Sequence, residues 1–174
     1  MTLRVEAADY DGLETVGLED DGLVPNSPLP ALVYRQVLGP SVRAEQVQAL
    51  FAAHGWGRSW VNGIFGHHHY HSTAREALGI TAGRARVQLG GETGPLADIE
   101  VGDVVVLPAG AGHKKLSGIG LEVVGAYPDG QTPDLCDATP AARAAALENL
   151  RVVPLPGQDP VFGGPGLLLG LWRS

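Results

Sequence analysis

Short apolar runs separated by glycine-containing turns dominate the chain between residues 60 and 127. The runs are WVNGIF, REALGIT, ARVQL, DVVVLP and LEVVGAY, and each shows period-two alternation or a continuous apolar stretch. Turns such as TAGR, LGGETG and PAGAG lie between them. Short strands at a spacing of roughly 8–12 residues are typical of an all-β sandwich or barrel. No internal repeat stands out, so the pattern predicts one such unit.

Helical spacing of apolar residues is found in two segments that flank this unit. In SVRAEQVQALFAAHGW, residues 41–56, we expect Ser41 to cap a helix and Gly55 to stop it. In ATPAARAAALENL, Thr139 is the expected N-cap and Pro140 the first helical residue, where the missing N–H of proline does no harm. The sequence therefore predicts one helix before the barrel and a short helix after it.

The 174 residues are expected to form one domain with four parts. Residues 1–30 are an acidic arm, interpreted as solvated, with seven acidic residues against one basic residue. Residues 31–60 hold a strand, ALVYRQVL, and the first helix, both packed on the barrel. Residues 61–128 form the barrel core. Residues 129–174 add the second helix and an extended tail, VVPLPGQDPVFGGPG, that packs back on the barrel.

Charge and composition narrow the classes of function. A net charge of −7 argues against nucleic-acid binding. The single cysteine, Cys136, excludes an internal disulfide and fits a reducing cytoplasm. The N-terminal residues lack an apolar signal-peptide core, and no run approaches the roughly eighteen apolar residues of a membrane span. We therefore expect a cytoplasmic protein that binds neither nucleic acid nor membranes.

Four histidines lie within the five residues of the stretch HHHYH. Because alternate residues of a strand share a face, His67, His69 and His71 should point one way, with His68 and Tyr70 on the other side. Two imidazoles at positions i and i+2 can bind one metal ion, but a stable site needs one or two further ligands.

Further ligands are available in the sequence. Glu76 follows the polar stretch STAR and should begin the next strand, and His113 follows a buried strand that ends in PAGAG. The spacing matches two motifs, and the residues that carry them are Gly63, His69, His71, Glu76 and Gly83 in the first and Gly102, Pro108, Gly110 and His113 in the second. On these motifs the chain resembles the cupin superfamily of RmlC-like jelly-roll proteins. Ser117 stands where that pattern has a structural asparagine.

The sequence also resembles a subgroup of single-domain bacterial cupins labelled YjlB-like. The resemblance includes the segment GDVVVLPAG, the helix before the barrel and the DPVFG tail. The resemblance implies a single jelly-roll barrel with one divalent transition metal inside, which is Fe, Mn, Ni, Zn or Cu. It implies His69, His71, Glu76 and His113 as the metal ligands. It also implies a homodimer that pairs barrel edges.

The number of residues between the histidines and Glu76 in the cupin pattern indicates which histidines are the ligand pair. If His67 and His69 were the ligand pair, six residues would separate them from Glu76, whereas the pattern allows three or four. His67 is therefore predicted to lie in the pocket or in solvent, and His68 faces away from the metal. Arg75 departs from the subgroup, in which a histidine often precedes the glutamate.

The remaining pocket candidates are polar side chains near the motifs, namely His67, Arg75, Lys114 and Tyr127. Arg75 and Lys114 could attract a carboxylate or phosphate. No catalytic residue is assigned.

Two hypotheses for function follow. The first is a small-molecule metalloenzyme of the dioxygenase or isomerase type. The second is a non-catalytic cupin that binds a metal or a small ligand.

Overall fold

A computed structural model of the chain describes residues 2–7 and 9–173, and within them nine strands and three helices are found. In chain order the elements are β1 (Leu13–Leu18), β2 (Ser27–Tyr34), α1 (Ala44–Ala53), β3 (Trp56–Asn62), β4 (His69–Tyr70), β5 (Glu76–Leu89), β6 (Leu96–Glu100), β7 (Val104–Leu107), β8 (His113–Pro128), β9 (Cys136–Asp137), α2 (Pro140–Leu150) and α3 (Leu168–Leu171). The prediction of an all-β jelly-roll barrel with a helix before its core and a short helix after it is confirmed.

The strands form one curled antiparallel sheet in the order β1-β2-β7-β5-β8-β4-β9, with β3 added to β8 and β6 added to β5. The two longest strands, β5 and β8, pair from Ala77 opposite Ala126 to Leu89 opposite His113, with bulges along the way. Bulges increase the local bend and twist of a strand. The bends let each half of the ribbon meet different neighbours, and this curls the sheet into a barrel.

The apolar core lies on both faces of this sheet. On β7 the alternate residues Val104 and Val106 pack in one cluster with α1 and the C-terminal tail. Val105 and Leu107 point the other way, into the barrel interior. A strand buried on both faces is apolar at every position, which explains the continuous run VVVL.

Helix α1 begins later than predicted. Its N-cap is Arg43 and not Ser41, because the Gln46 side chain turns back to accept the Arg43 backbone N–H at 3.0 Å. The stop at Gly55, which has a φ of +75°, is confirmed. The Thr139 cap of α2 is also confirmed, since its side chain accepts the Ala142 N–H at 3.2 Å.

The acidic N-terminal arm contains β1, which the sequence did not predict, and its seven acidic residues are exposed. Arg35 pairs with Glu14 of β1 at 3.1 Å. β2 also begins earlier than predicted, and Pro28 and Pro30 lie inside it. Between Ser27 and Ala31 neither proline is in register with a residue of β1. A proline is tolerated in a strand where no ladder hydrogen bond needs its missing N–H.

The C-terminal tail packs on the barrel and ends in α3, which the sequence did not predict. Asp159 is fully buried there and accepts hydrogen bonds from the Tyr34 hydroxyl at 2.7 Å and the Val161 N–H at 2.8 Å. The division of the chain into four parts of one domain stays a prediction. Throughout residues 2–7 and 9–173, every helix is too short or too polar to cross a membrane.

Candidate metal centre

Three histidine side chains converge at one end of the barrel. His69 on β4 is the cross-strand partner of His113, the first residue of β8, and their ring centroids lie 4.1 Å apart. His71 follows β4 directly, and its ring centroid is 5.9 Å from that of His113. One ring nitrogen of each histidine lies within 4.8 Å of the other two. The three side chains are therefore close enough to share one metal ion.

Backbone carbonyl groups orient all three rings. The Nδ1 atom of His69 contacts the His67 carbonyl at 3.2 Å, and that of His113 contacts the Ala111 carbonyl at 3.1 Å. The Nδ1 atom of His71 contacts the Asp134 carbonyl. A carbonyl oxygen only accepts, so each Nδ1 must carry the proton and donate it. The Nε2 atom of each neutral ring is then left with a lone pair, as metal-binding histidines require.

Glu76, the first residue of β5, adds a carboxylate to this group. The residue is buried, with Oε1 3.4 Å from His113 Nε2 and Oε2 2.8 Å from His71 Nε2. Among the described residues, no donor forms a hydrogen bond of normal geometry with this Oε2 atom. A buried carboxylate oxygen this close to a ring nitrogen is satisfied by a metal ion or by a proton held between the two atoms. The donor set therefore fits a transition metal held by three imidazoles and one carboxylate.

The pKa shifts of His69, Glu76 and His71 indicate which groups of the site are charged. Burial and the neighbouring His113 lower the pKa of His69 to about 3, so this ring is neutral at ordinary pH. Burial opposes the charge on Glu76, but contacts with His113 and His71 outweigh it and hold the Glu76 pKa well below its usual range. Burial also opposes the charge on His71, yet the Glu76 carboxylate raises the His71 pKa. The site thus holds a buried carboxylate anion beside two of its imidazoles.

A cavity of about 510 Å³ opens from the four side chains. Most of its wall is apolar or aromatic, and the residues that supply this part are Trp60, Ile64, Phe65, Leu78, Tyr127, Pro133 and Leu135. Tyr127 also contacts the His71 ring edge-on, with centroids 5.7 Å apart. Its hydroxyl accepts the Trp60 indole N–H at 2.8 Å. The space is the size of a site for a small molecule.

The four pocket candidates from the sequence have different locations. Tyr127 lines the cavity. His67 is exposed and stacks on Phe65 at the rim, with ring centroids 5.1 Å apart. Arg75 is buried away from the cavity, where it donates to the Pro154 carbonyl at 3.1 Å.

Lys114 is not brought to the cavity either. It lies on the opposite face of β8 from His113 and pairs with Glu92 at 2.7 Å. The next residue, Lys115, lines the cavity instead. The period-two alternation of a strand is the physical reason, because Lys115 and His113 share a face and Lys114 does not.

His68 and Tyr70 lie on the opposite face from the three histidines, as the strand period predicted. His68 is buried with its Nε2 3.4 Å from Gln88 Oε1, and Tyr70 is fully buried. Neither side chain faces the metal centre.

Asp134 is a functional residue that sequence reasoning missed. Its backbone carbonyl orients His71, and its carboxylate accepts the Ser72 N–H at 2.6 Å and the Thr73 N–H at 3.3 Å. It sits in the loop before β9, which is more than sixty positions along the chain from His71. Nothing in the stretch QTPDLCD marked it, because only the fold brings the two segments together.

A curled antiparallel barrel with a His-x-His pair and a glutamate from one motif, facing a histidine from a second motif, defines a cupin. The chain belongs to the YjlB family within this class. It is 39% identical over 161 residues to the uncharacterized protein YjlB of Bacillus subtilis (strain 168), and the match covers 91% of this chain and 96% of that protein. No protein-family model matches the chain.

Solved structures with a similar fold were also found. They include a DUF861 family protein of Thermotoga maritima, with a TM-score of 0.32, 23% identity and coverage of 49% of this chain and 92% of that one. Acireductone dioxygenase of Bacillus anthracis has a TM-score of 0.37, 17% identity and coverage of 52% and 63%. Oxalate decarboxylase of Lactobacillus farciminis has a TM-score of 0.34, 12% identity and coverage of 87% and 42%. Similarity at this level carries no argument about activity.

Proposed function

We propose that this protein is a small-molecule metalloenzyme of the dioxygenase or isomerase type. The ligands of its single divalent metal are His69, His71, Glu76 and His113. The observation that carries the proposal is the convergence of three imidazoles, each with its Nδ1 proton directed to a carbonyl, beside the buried Glu76 carboxylate, which lies next to two of them. Such an arrangement at the floor of a cavity serves no evident packing purpose.

The identity of the metal is restricted by the donor set to Fe, Mn, Ni, Zn or Cu. When bound, the metal supplies Lewis-acid polarisation of a substrate oxygen or, as iron, the capacity for dioxygen chemistry.

The side chains of the cavity have separate tasks. The apolar wall excludes water from the reacting centre and favours a flat, partly apolar molecule. The Tyr127 hydroxyl accepts from Trp60 and directs its own O–H toward the metal-facing end of the cavity, where Glu76 lies. Burial and the nearby Glu76 raise the pKa of Tyr127, which keeps this donor protonated.

A non-catalytic cupin that binds a metal or small ligand is the second candidate. One observation favours it, which is the lack of a free general base among the described residues that line the cavity. Their carboxylates are Glu76, which contacts two histidines, and Asp134, which holds Ser72 and Thr73. Chemistry in this cavity would therefore depend on the metal itself.

Metal analysis followed by turnover tests the proposal. Protein purified without an affinity tag should contain about one equivalent of metal per chain by elemental analysis. Oxygen uptake would then be measured with a panel of catechols and β-diketones. We expect uptake that His113→Ala abolishes and His68→Ala, the matched control on the opposite face, leaves in place. Bound metal with neither oxygen uptake nor isomerisation of the panel would favour the non-catalytic binder.

We also infer a cytoplasmic homodimer. The support for the cytoplasm is the single free, buried Cys136, and the support for the dimer is that β1 and β9 end the main strand order of the sheet without a further partner in the described chain. Light scattering on the purified protein should give twice the mass of 18.1 kDa. A mass of one chain would exclude the dimer.

A further inference from the structure

The two lysines of the chain are neighbours, Lys114 and Lys115, near the start of β8. Strand alternation turns them to opposite faces. Lys114 lies outside the cavity, where its ammonium group pairs with Glu92 at 2.7 Å. Lys115 shares the inward face with His113 and lines the cavity. One lysine is therefore neutralised on the surface, and the other carries its charge into the proposed active site.

The Lys115 ammonium group has no partner within the described part of the chain. Its backbone N–H donates to the Phe65 carbonyl at 2.8 Å, but no salt bridge or hydrogen bond involves its side chain. Neither carboxylate of the cavity forms an ion pair with Lys115: Glu76 lies beside His71 and His113, and Asp134 accepts from Ser72. A lysine that faces a largely apolar cavity without a counter-ion is a site for an anionic group of a ligand.

The position of Lys115 also sets where that group must lie. Residues i and i+2 of a strand are about 6.6 Å apart along its axis, so the backbone of Lys115 lies about that far along β8 from His113. The Lys115 stem extends further from His113, because its Cδ lies 3.5 Å from the position that a Cβ on Gly118 would take. The wall nearby is apolar and includes Phe65 and Leu135. A molecule that meets the metal with two oxygens can thus cover this wall with a flat body and reach Lys115 with its far end.

We propose that the substrate is a carboxylate whose acid group pairs with Lys115 while a pair of oxygens at its other end faces the metal centre. This inference rests on the proposed function and specifies its substrate class. A carboxylate is favoured over a phosphate because a single ammonium balances one negative charge. A phosphate needs several donors, and Lys115 is the one lysine or arginine among the described residues that line the cavity.

A matched pair of probes tests the role of Lys115 without turnover. Protein loaded with Zn(II), which is redox-inactive, would be titrated under nitrogen with catechol and with 3,4-dihydroxybenzoate by isothermal titration calorimetry. Both probes offer the same two oxygens, and only the second has a carboxylate at its far end. The quantity of interest is the ratio of the two dissociation constants in each variant, because intrinsic differences between the probes cancel in that comparison.

We expect the preference for 3,4-dihydroxybenzoate to fall about tenfold in Lys115→Met, while catechol affinity and metal content stay unchanged. Lys115→Arg should keep most of the preference because it keeps the charge. Lys114→Met, the neighbouring control, should behave as the unmodified protein.

Other outcomes overturn the inference. An unchanged preference in Lys115→Met, or an equal loss in Lys114→Met, would show that Lys115 does not bind the carboxylate. Metal-loaded protein that binds neither probe would refute the substrate class and leave the metal centre standing. Protein that retains no metal would refute the proposed function, and the inference with it.

Discussion

Removal of the Asp134 side chain should weaken both the fold and the metal centre. Its carboxylate accepts the Ser72 N–H at 2.6 Å as well as the Ser72 hydroxyl, and Ser72 is fully buried. In Asp134→Ala these two buried donors lose their acceptor, and each such loss costs about 1–3 kcal/mol. Because the loop is partly open to water, which can replace some of the bonding, we expect a decrease of about 2–3 kcal/mol in the free energy of unfolding.

The effect on metal binding follows from the same loop. The Asp134 carbonyl accepts the Nδ1 proton of His71, so loosening the loop frees the His71 ring to rotate. Loss of such a supporting contact lowers metal affinity by about 10–100-fold in other sites. We expect about a tenfold decrease, since the carbonyl itself remains in Asp134→Ala. Urea denaturation of the metal-free protein and competition with a chelator measure the two effects separately.

Asp137→Ala is the matched control, because Asp137 lies three residues further on and its side chain is exposed and contacts His67 at 3.8 Å. Its pairing with His69 is made by the strand backbone, which alanine keeps. The substitution should change neither quantity. If Asp134→Ala keeps full metal affinity, or if Asp137→Ala lowers it equally, the idea that Asp134 positions His71 is refuted.

The pH dependence of the Asp134→Ala deficit has a defined sign. Burial raises the pKa of Asp134, but the hydrogen bonds from Ser72 outweigh burial and lower it. A depressed carboxyl pKa contributes stability above the unfolded value of about 3.9, and this contribution is lost as the pH falls through the folded value. The difference between the two proteins in urea should therefore be full at neutral pH and shrink below about pH 4. A difference that grew in acid would contradict the assignment.

Three further predictions concern the metal and the core. His71→Ala should strip the metal and His68→Ala should retain it, as elemental analysis would show; equal loss from both would refute the assignment of faces. Chelation should lower the melting temperature of the unmodified protein, because a ligand of the native state stabilises it by mass action, and an unchanged melting temperature would mean that no metal was bound. Gly79→Ala should destabilise the fold by about 1–3 kcal/mol in urea denaturation, because its new Cβ would lie 2.7 Å from Val47 Cγ1, whereas Gly17→Ala, with open space around it, should not.

The proposed ligand set illustrates what local patterns can predict. His69 and His71 share a strand face, and that face could be inferred from the period of two. Glu76 and His113 each begin a strand, and the motif spacing picked both out although only the pairing of β4 and β5 with β8 brings them together. The helix caps Gly55 and Thr139 could be predicted for the same reason, since a cap depends on a few neighbouring residues.

The residues that sequence reasoning missed or misplaced depend on contacts between distant segments. Arg75 resembled a pocket residue, yet it anchors the C-terminal tail and lies over the Trp172 ring at 5.1 Å. Asp134 had no local signal, because its role exists only where its loop passes His71. β1 was missed because its pairing with β2 gives it order that its own short sequence does not.

Lys114 and Lys115 show which features follow from the sequence and which follow only from the tertiary structure. The sequence by itself determined that a basic group follows His113 and that the metal-ligand candidates recur with cupin spacing, and it predicted Lys114 as the pocket residue. Only the tertiary structure decided that Lys115 faces the cavity instead, because it begins β8 at His113, ahead of the predicted strand LEVVGAY, and places Glu92 beside Lys114. Alternation is a local property of the backbone, whereas the face that is buried is set by the strands and loops that close the barrel.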